Sequence, residues 1–319
     1  MSEGLTKAVF SPDENLIGLA TSSGTVIVWK LNVTSRQKAE KLASSVSHRN
    51  RQVTSLCWDS VGLRLFSGDD KGRITITNSD SAKPSGLFKM QSEMVVDVDS
   101  SVVQMDFMEE RLLISTMSRC YLCDPKKRLV FPIGSKPRDG AYGGCFLKKA
   151  ASEKPAVFCA RPGSRIWEAN LMCQVLSTHQ FKQLLATPPM PVVGQGREVT
   201  FLDRDGKHPS QSLSFPVLHP LGHHFLVTWN ELGVYVFDPL QVDVVVWTNE
   251  IKDLLDVSIS KSSLYCLYHD NIVRKYTLQT VARCAASLYH QGQLLHGSPG
   301  TIPSLRMTWK SLPHLLKTG

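Results

Sequence analysis

The sequence predicts an all-β protein, a WD40-like β-propeller with about six recognisable blades, and three observations support this prediction. A pattern of strand, turn, strand, tight turn and strand recurs six times along the 319 residues. Most copies are spaced close to the ~40–45 residues of one four-stranded propeller blade. Apolar residues make up 42% of the chain, which is enough for a substantial core in one all-β unit of this length.

The first two copies of the pattern agree almost position by position. In the first copy, the turn Ser22-Ser23-Gly24 separates two β-rich runs at 16–21 and 25–29. In the second copy, Asp69-Asp70-Lys71-Gly72 occupies the same place. Glycine, serine and aspartate favour a tight hairpin because they accept or hydrogen-bond the unusual backbone of the turn. The two aspartates therefore predict a turn and not a calcium site.

Four further copies follow, and their spacing defines the blades. Equivalent positions in the last strand of each copy are Trp29, Thr77, Cys123, Trp167, Phe237 and Lys275. These positions are separated by 48, 46, 44, 70 and 38 residues. The step of 70 residues predicts an inserted loop at about 177–212, which contains a short helix at 178–186 and then a proline-rich stretch.

The repeats predict a propeller over residues 1–280, incomplete relative to seven blades, and a short tail over 281–319. A helix is expected at 281–295, where no strand pattern remains. Gly297-Ser298-Pro299-Gly300 then breaks any periodicity. We expect the residues after this break to be disordered.

Composition narrows the class of partner. The formal net charge of +8 would permit binding to nucleic acid, an anionic membrane or an acidic protein. Aromatic residues are only 8% and do not alternate with the basic groups, so nucleic acid is not predicted. The longest apolar stretches are far shorter than the ~20 residues of a membrane-spanning helix. The N-terminus has no secretory signal, so the cytosol is the expected compartment.

No metal, cofactor or catalytic site is predicted. Cys120 and Cys123 form a Cys-x-x-Cys motif, but residues three apart on a strand face opposite sides and cannot share an ion. The one concentration of histidines comprises His208, His219, His223 and His224. A metal site there would need further ligands from elsewhere, because adjacent histidines on a strand diverge. Gly194-Gln195-Gly196 lacks the lysine and the helix that follow a phosphate loop. No serine or cysteine nucleophile has a recognisable elbow and base.

Two loops are unusually rich in arginine and glycine for connections between strands. Arg138 and Asp139 lie in the first loop, and Arg161 and Arg165 flank the second. These four residues are the candidate interaction residues at a partner surface. The alternative is that the arginines support a junction between blades through buried pairing.

The sequence resembles the Hermansky-Pudlak syndrome 5 family over roughly residues 9–290. The resemblance rests on Val-Thr-Ser-Leu-Cys-Trp-Asp at 53–59, Leu-Leu-Ile-Ser-Thr at 112–116, Cys-Ala-Arg-Pro-Gly-Ser-Arg-Ile-Trp-Glu at 159–168 and Ser-Thr-His-Gln-Phe-Lys at 177–182. Tectonin β-propeller repeat-containing protein 2 has a related propeller and a similar turn at 67–72. Residues 178–185 and 281–284 favour the first family.

The resemblance implies a non-catalytic subunit of the biogenesis of lysosome-related organelles complex 2, which serves melanosomes and platelet dense granules. The implied partners are the Hermansky-Pudlak syndrome 3 and 6 proteins, with peripheral association on endosomal membranes and no cofactor or small-molecule substrate. The family has a further blade before the first copy and a helical region after the propeller, so a truncated form is expected here. A tectonin-related adaptor of autophagy or secretion and a phosphoinositide-binding propeller are the alternative functions.

Overall fold

The computed structural model describes residues 4–31, 39–79, 92–148, 154–182, 215–223, 225–230, 233–240, 243–248, 254–260, 263–268, 273–282 and 303–311. In these residues the chain forms six four-stranded sheets. Each sheet uses four strands that follow one another in sequence and pair with their neighbours, so one pass of the chain builds one blade. This architecture confirms the predicted all-β propeller.

The strands of blades 1 to 4 are β1 (Leu5–Phe10), β2 (Leu16–Thr21), β3 (Val26–Lys30), β4 (Glu40–Ser45), β5 (Val53–Trp58), β6 (Arg64–Asp69), β7 (Arg73–Asn78), β8 (Ser92–Asp97), β9 (Val102–Met108), β10 (Arg111–Thr116), β11 (Cys120–Asp124), β12 (Leu129–Pro132), β13 (Gly144–Leu147), β14 (Ala156–Arg161), β15 (Arg165–Ala169) and β16 (Val175–Gln180). Those of blades 5 and 6 are β17 (His219–Leu221), β18 (Phe225–Asn230), β19 (Gly233–Asp238), β20 (Asp243–Thr248), β21 (Leu254–Ser260), β22 (Ser263–Tyr268), β23 (Val273–Ala282) and β24 (Pro303–Ser311).

The chain divides into two compact units. The first comprises Met1–His179 and Ser214–Leu218, and the second comprises Gln180–Leu213 and His219–Gly319. Apart from Gln180, the last residue of β16, blades 1 to 4 belong to the first unit. Blades 5 and 6 belong to the second.

The six positions that defined the spacing all lie in the third strand of a blade. They are Trp29 in β3, Thr77 in β7, Cys123 in β11, Trp167 in β15, Phe237 in β19 and Lys275 in β23. The prediction of blades from the repeat is therefore confirmed, including the long step between blades 4 and 5.

In the first unit, apolar side chains fill the spaces between consecutive blades. Val28 and Leu65 lie in the core between blades 1 and 2, together with Trp58, which is 6% exposed. Phe66 and Leu112 lie in the next core, between blades 2 and 3. The first strands of consecutive blades also contact one another, β1 with β5, β5 with β9 and β9 with β13. Burial of this apolar surface between sheets is what holds neighbouring blades together.

The turn between the second and third strands ends in glycine for a steric reason. Gly72 has a φ of +89°, and a Cβ there would collide with the main-chain oxygen of Val98, at the entry to blade 3. Gly24 has a φ of +81° and approaches the main-chain oxygen of His48 in the same way. Only glycine combines a left-handed backbone with so close an approach. The turn therefore fits against the connection into the next blade.

The outermost strand of blade 4 corrects one prediction. The predicted helix at 178–186 is wrong for residues 178–180, because these residues complete β16. Burial alternates along this strand, and His179 faces inward, where its ring stacks on Phe158. The strand forms because period-two burial against the blade outweighs a weak local helix pattern. Residues 183–214, which include Gly194-Gln195-Gly196 and most of the predicted insertion, lie outside the described residues.

The C-terminal segment corrects a second prediction. Residues 303–311 form β24, which pairs with β23 from Arg274 opposite Ser311 to Ala282 opposite Pro303. A strand forms there because the main-chain groups at the edge of β23 gain partners. The expectation of disorder after residue 297 is therefore wrong for 303–311. The predicted helix at 281–295 begins within β23, and its other residues lie outside the described part.

Candidate interaction loops at the junction of blades 3 and 4

The four candidate interaction residues lie in two loops that touch each other. Arg138 and Asp139 belong to the connection between β12 and β13, and Arg161 and Arg165 flank the turn between β14 and β15. Nη2 of Arg161 donates a hydrogen bond of 2.8 Å to the main-chain oxygen of Pro137. The fold thus brings together residues from two separate stretches of sequence.

Arg138 is buried, with 7% of its surface exposed. Its Nη1 donates to the main-chain oxygen of Ala160 in blade 4. Its Nη2 donates to Oγ of Ser115 at 2.6 Å and to the main-chain oxygen of Thr116 at 2.9 Å, both in blade 3. Nη2 also donates to the main-chain oxygen of Tyr142, whose ring centroid lies 5.5 Å from the guanidinium carbon. One guanidinium group therefore connects two blades through neutral acceptors.

Arg161 is also buried, with 8% of its surface exposed. Its guanidinium carbon lies 4.0 Å from the centroid of the Trp167 ring, a cation–π contact. Burial, followed by the charge of Arg138, lowers the pKa of Arg161. Two cations are thus buried side by side, with an aromatic ring and main-chain oxygens as partners.

The exposed residues of the two loops present charge to solvent. Lys136, Asp139 and Arg165 are all exposed, and Nε of Arg165 donates a hydrogen bond of 2.8 Å to the main-chain oxygen of Pro162. Arg138 and Arg161 bond to groups within the blade junction, which agrees with the alternative that the arginines support a junction between blades. Contact with a partner stays a prediction, and the exposed residues are the ones available for it.

Blade 2 contains a second polar network, which was not predicted from the sequence. His48, in the connection between β4 and β5, is fully buried. Its Nδ1 lies 2.9 Å from Oδ2 of Asp69, and its Nε2 lies 2.9 Å from Oγ of Ser67 and 3.0 Å from Oγ1 of Thr75. The other oxygen of Asp69 accepts hydrogen bonds from the main-chain nitrogens of Lys71 and Arg73. The network joins the connection to the second and third strands of one sheet.

The pKa shifts in this network favour a neutral histidine and an ionised aspartate. Burial lowers the pKa of His48, and the hydrogen bond to Asp69 only partly offsets this. Burial raises the pKa of Asp69, but hydrogen bonds from His48, Arg73 and Lys71 outweigh it, so the pKa is lowered. Neutral His48 then donates from Nδ1 to the carboxylate and accepts at Nε2 from a hydroxyl group.

A sequence signal for this network exists. Asp69 opens the turn that the repeat identifies, Ser67 precedes it by two residues, and His48 precedes the first strand of the same blade. In the sequence, His48 stands in a short run with the basic residues Arg49 and Arg51. The structure shows that the histidine is buried and that only its neighbours carry surface charge.

The Cys-x-x-Cys motif behaves as the strand geometry predicts. Cys120 packs in the core between blades 3 and 4, and Cys123 packs in the core between blades 2 and 3. The two sulfur atoms therefore lie on opposite faces of one sheet. Within the part of the chain that the structure describes, no group of three or more histidine, cysteine or acidic residues is arranged to hold a metal ion.

The histidines near blade 5 are not brought into one described cluster. His219 stacks on Trp229 with ring centroids 5.2 Å apart, and burial lowers its pKa to about 4. His223 is exposed in the turn after β17, while His208 and His224 lie outside the described residues.

Among the described residues, no helix is long and apolar enough to cross a membrane.

Comparison with known families gives a match over most of the chain. The family model described as "HPS5 beta-propeller" matches residues 2–270. The chain is 42% identical over 286 residues to human "BLOC-2 complex member HPS5", covering 88% of this chain and 25% of that protein. It is 31% identical over 297 residues to the "BLOC-2 complex member HPS5 homolog" of Drosophila melanogaster, covering 91% of this chain and 36% of that protein.

A more distant relative and a solved structure extend the comparison. Human "Tectonin beta-propeller repeat-containing protein 2" is 29% identical over 290 residues, covering 85% of this chain and 20% of that protein. A chain in the "Crystal Structure of Mitotic Checkpoint Complex" matches with a TM-score of 0.57 and 12% identity, covering 87% of this chain and 75% of that chain. At that identity the likeness supports the propeller fold alone. This chain spans 25% and 36% of the human and fly relatives named BLOC-2 members.

Proposed function

The chain belongs to the HPS5 β-propeller family, and on that premise we propose that it is a propeller module of a subunit of the biogenesis of lysosome-related organelles complex 2 (BLOC-2). It acts there as a non-catalytic scaffold that binds proteins during vesicle traffic to lysosome-related organelles. The observation that carries the proposal is the 42% identity to human "BLOC-2 complex member HPS5" over 88% of the chain. The tectonin relative is less similar, at 29% identity, so it supports the alternative adaptor function more weakly.

The partners we propose are the Hermansky-Pudlak syndrome 3 and 6 proteins, and the compartment is the cytosol with peripheral association on endosomal membranes. The surface we propose for a partner consists of the exposed residues Lys136, Asp139 and Arg165. Arg138 and Arg161 fix the two loops beneath this surface by hydrogen bonds to main-chain oxygens. A fixed loop loses little conformational entropy on binding, which favours a specific protein contact.

The test is copurification. The tagged chain is co-expressed with the two partner proteins, purified under mild conditions, and the bound proteins are quantified by mass spectrometry. We expect both partners to be recovered with the wild-type chain. Recovery of neither partner by a chain with a normal β-sheet circular dichroism spectrum would contradict the proposal.

Charge reversal locates the surface. Arg165→Glu with Lys136→Glu should reduce partner recovery at least several-fold, because like charges across an interface are repulsive. Lys71→Glu is the matched control, since Lys71 is exposed in the corresponding hairpin turn of blade 2. If the control reduces recovery as strongly as the double variant, the binding surface is not at the junction of blades 3 and 4.

A further inference from the structure

The connection between β12 and β13 is held by arginines from three separate stretches of the chain. Nη1 of Arg119, in the turn before β11, donates a hydrogen bond of 2.9 Å to the main-chain oxygen of Ser135. Nη2 of Arg161, at the end of β14, donates to the main-chain oxygen of Pro137. Arg138 follows in the connection itself, and its guanidinium bonds to main-chain oxygens of both blades. Several guanidinium groups are therefore gathered around one loop.

The guanidinium groups around this loop have neutral partners. Arg165 lies in the turn that follows β14, and its Nε donates to a main-chain oxygen, as Arg119 and Arg161 do through their own nitrogens. Arg138 adds the hydroxyl of Ser115, and its buried Nε has no hydrogen-bond partner. Within the described residues, no carboxylate lies within ion-pair distance of any of these four arginines. Their positive charge is therefore not neutralised locally.

Arginines elsewhere in the first unit are paired with acids. Five of them have a guanidinium nitrogen between 2.7 and 3.9 Å from a carboxylate oxygen, namely Arg51, Arg64, Arg73, Arg111 and Arg128. Apart from the four arginines at the junction, the one described arginine of this unit without such a partner is Arg49. The unpaired guanidinium groups are thus concentrated at the junction of blades 3 and 4.

The surface above the junction carries an excess of positive charge. Lys136 is exposed on the connection, and Asp139 is the one acidic residue of the connection and the two adjoining turns. Burial and the charge of Arg138 lower the pKa of Arg161, and the charge of Arg165 adds to this, so these cations lie close enough to repel one another. Cations that are held close together without an anion raise the positive potential at the surface nearby.

We propose that the junction of blades 3 and 4 binds an acidic segment of a partner protein, whose aspartate or glutamate carboxylates bond to Arg165, Lys136 and Arg119. This inference rests on the proposed function, because it names the chemistry of the partner at the same surface. A guanidinium group matches a carboxylate with two parallel hydrogen bonds. The bound carboxylates also supply an anion near Arg138 and Arg161, which keep their own main-chain acceptors.

The exposed residues of these loops favour a peptide over an anionic membrane. Attraction to anionic lipids contributes only ~1 kcal/mol for each basic residue near the surface, so membrane binding takes a large basic cluster or apolar side chains that enter the bilayer. Arg165, Lys136 and the half-buried Arg119 are the accessible cations, and Asp139 offsets one of them. Pro137 is the one exposed apolar side chain of the two loops. Directed bonds to a few carboxylates fit this surface better than a membrane does.

The test measures binding of a synthetic acidic peptide to the full chain. The probe is a fluorescein-labelled peptide of alternating glutamate and serine, followed by fluorescence anisotropy, and the matched peptide has glutamine in place of glutamate. We expect the chain to bind the glutamate peptide alone, with an affinity that falls as the ionic strength rises. Binding of neither peptide, or of both equally, overturns the inference.

Three variants locate the site. Lys136→Gln with Arg165→Gln should weaken binding at least about fivefold, and Asp139→Asn should strengthen it about twofold, because it removes the carboxylate that repels the probe. All three side chains are exposed, so the variants should fold. Lys126→Gln with Arg128→Gln is the matched control, since it removes the same charge from a turn of blade 3 where each cation already pairs with a glutamate. A control that weakens binding as strongly would show that net charge alone attracts the peptide, and the inference would fail.

Two further outcomes are distinguishable. If the chain floats with phosphatidylserine vesicles and does not bind the acidic peptide, the surface binds a membrane and the inference is overturned. Because the peptide is synthetic, its binding does not depend on the identity of the natural partners. Loss of peptide binding with normal recovery of the partner proteins overturns this inference alone, whereas peptide binding without recovery of those partners contradicts only the proposed function.

Discussion

Two buried polar networks occupy corresponding places in the propeller, and they are built differently. The network of blade 2 starts at His48 and the network at the junction of blades 3 and 4 starts at Arg138, each in the connection that leads into the next blade. His48 bonds to Asp69, Ser67 and Thr75 within one sheet. The guanidinium of Arg138 instead bonds to acceptors in both blades that it separates.

The difference teaches which part of the fold each network stabilises. In blade 2 a neutral imidazole meets an ionised carboxylate that also caps a turn, so the network stabilises one blade internally. At the junction of blades 3 and 4 the donors are cations, and the acceptors are main-chain oxygens and the hydroxyl of Ser115, drawn from both blades. Removing a cation there takes a donor from several buried acceptors at once, so the two networks should respond differently to substitution.

The largest effect is expected for Arg138→Ala. Loss of the guanidinium removes a donor from the oxygens of Ala160, Thr116 and Tyr142, although that of Tyr142 keeps the hydroxyl of Ser115 as a donor. This loss should lower the free energy of unfolding by roughly 3 kcal/mol or more. Urea denaturation followed by circular dichroism measures it. Arg138→Lys keeps the charge but not the fork of donors, so it should fall between wild type and alanine. A loss below about 1 kcal/mol for alanine would show that the junction does not depend on this side chain.

A smaller effect is expected for Asp69→Asn. One oxygen still accepts from the main-chain nitrogens of Lys71 and Arg73, so the turn keeps its cap. The amide nitrogen now faces Nδ1 of His48, and a tautomer change must replace the lost charge-assisted bond. We expect a loss of roughly 1–3 kcal/mol in the same assay. A loss as large as that of Arg138→Ala would remove the distinction between the two networks.

Acidification should change the contributions of the two regions to the free energy of unfolding in opposite directions. The pKa of His48 is lowered in the folded chain, so the unfolded chain binds a proton on this residue at a higher pH. The contribution of His48 to the free energy of unfolding therefore falls as the pH drops below about 6.5. Burial raises the pKa of Asp106 to about 6, against hydrogen bonds from the main-chain nitrogens of Phe146 and Phe107. Its carboxylate accepts from Phe146 at 2.7 Å, across the boundary of blades 3 and 4. The folded chain binds a proton on Asp106 at a higher pH than the unfolded chain does. The contribution of Asp106 to the free energy of unfolding therefore rises as the pH falls through about 6.

Two variants resolve these opposing contributions. His48→Gln should remove part of the decline in stability between pH 7 and 5, and Asp106→Asn should remove the opposing gain. The measurement is the free energy of unfolding by urea at several pH values. If Asp106→Asn makes the decline shallower, the assigned direction for Asp106 is wrong.

The smallest effect is expected for Arg165→Glu. The side chain is exposed and its one hydrogen bond goes to the main-chain oxygen of Pro162 in its own turn. Stability should change by less than about 0.5 kcal/mol, in contrast with the buried Arg138 of the neighbouring loop. A larger loss by thermal unfolding would show that this exposed loop also stabilises the blade junction.

The repeat made blades predictable because strand pattern and turn chemistry are local. Gly24 and Gly72 mark the turns in the sequence, and the structure adds that each fits against the connection into the next blade. Residues 178–180 and 303–311 were predicted wrongly because both segments are outer strands. Such strands form by pairing with a neighbour that already belongs to a sheet, and that pairing leaves only a weak pattern in their own sequence.

The sequence predicted which loops contain the candidate residues, but not that Arg138 and Arg161 are buried. The unusual arginines at 138 and 161 were visible in the sequence, whereas their pairing with main-chain oxygens was not, because any residue type supplies the same acceptor. The burial of His48 could have been predicted, since Asp69 and Ser67 stand at repeat positions. The placement of Cys120 and Cys159 in one core cluster could not be predicted, since the two residues belong to different blades.

The sequence by itself determined the all-β class, the number of blades in the described chain, the strands that share a blade and the family to which the chain belongs. These properties follow from local patterning and from similarity along the chain. Only the tertiary structure decided which arginines are buried, which histidine pairs with a carboxylate and which thiols share a core cluster. Those outcomes depend on the approach of neighbouring sheets, where burial and charge act between residues that the sequence does not place together.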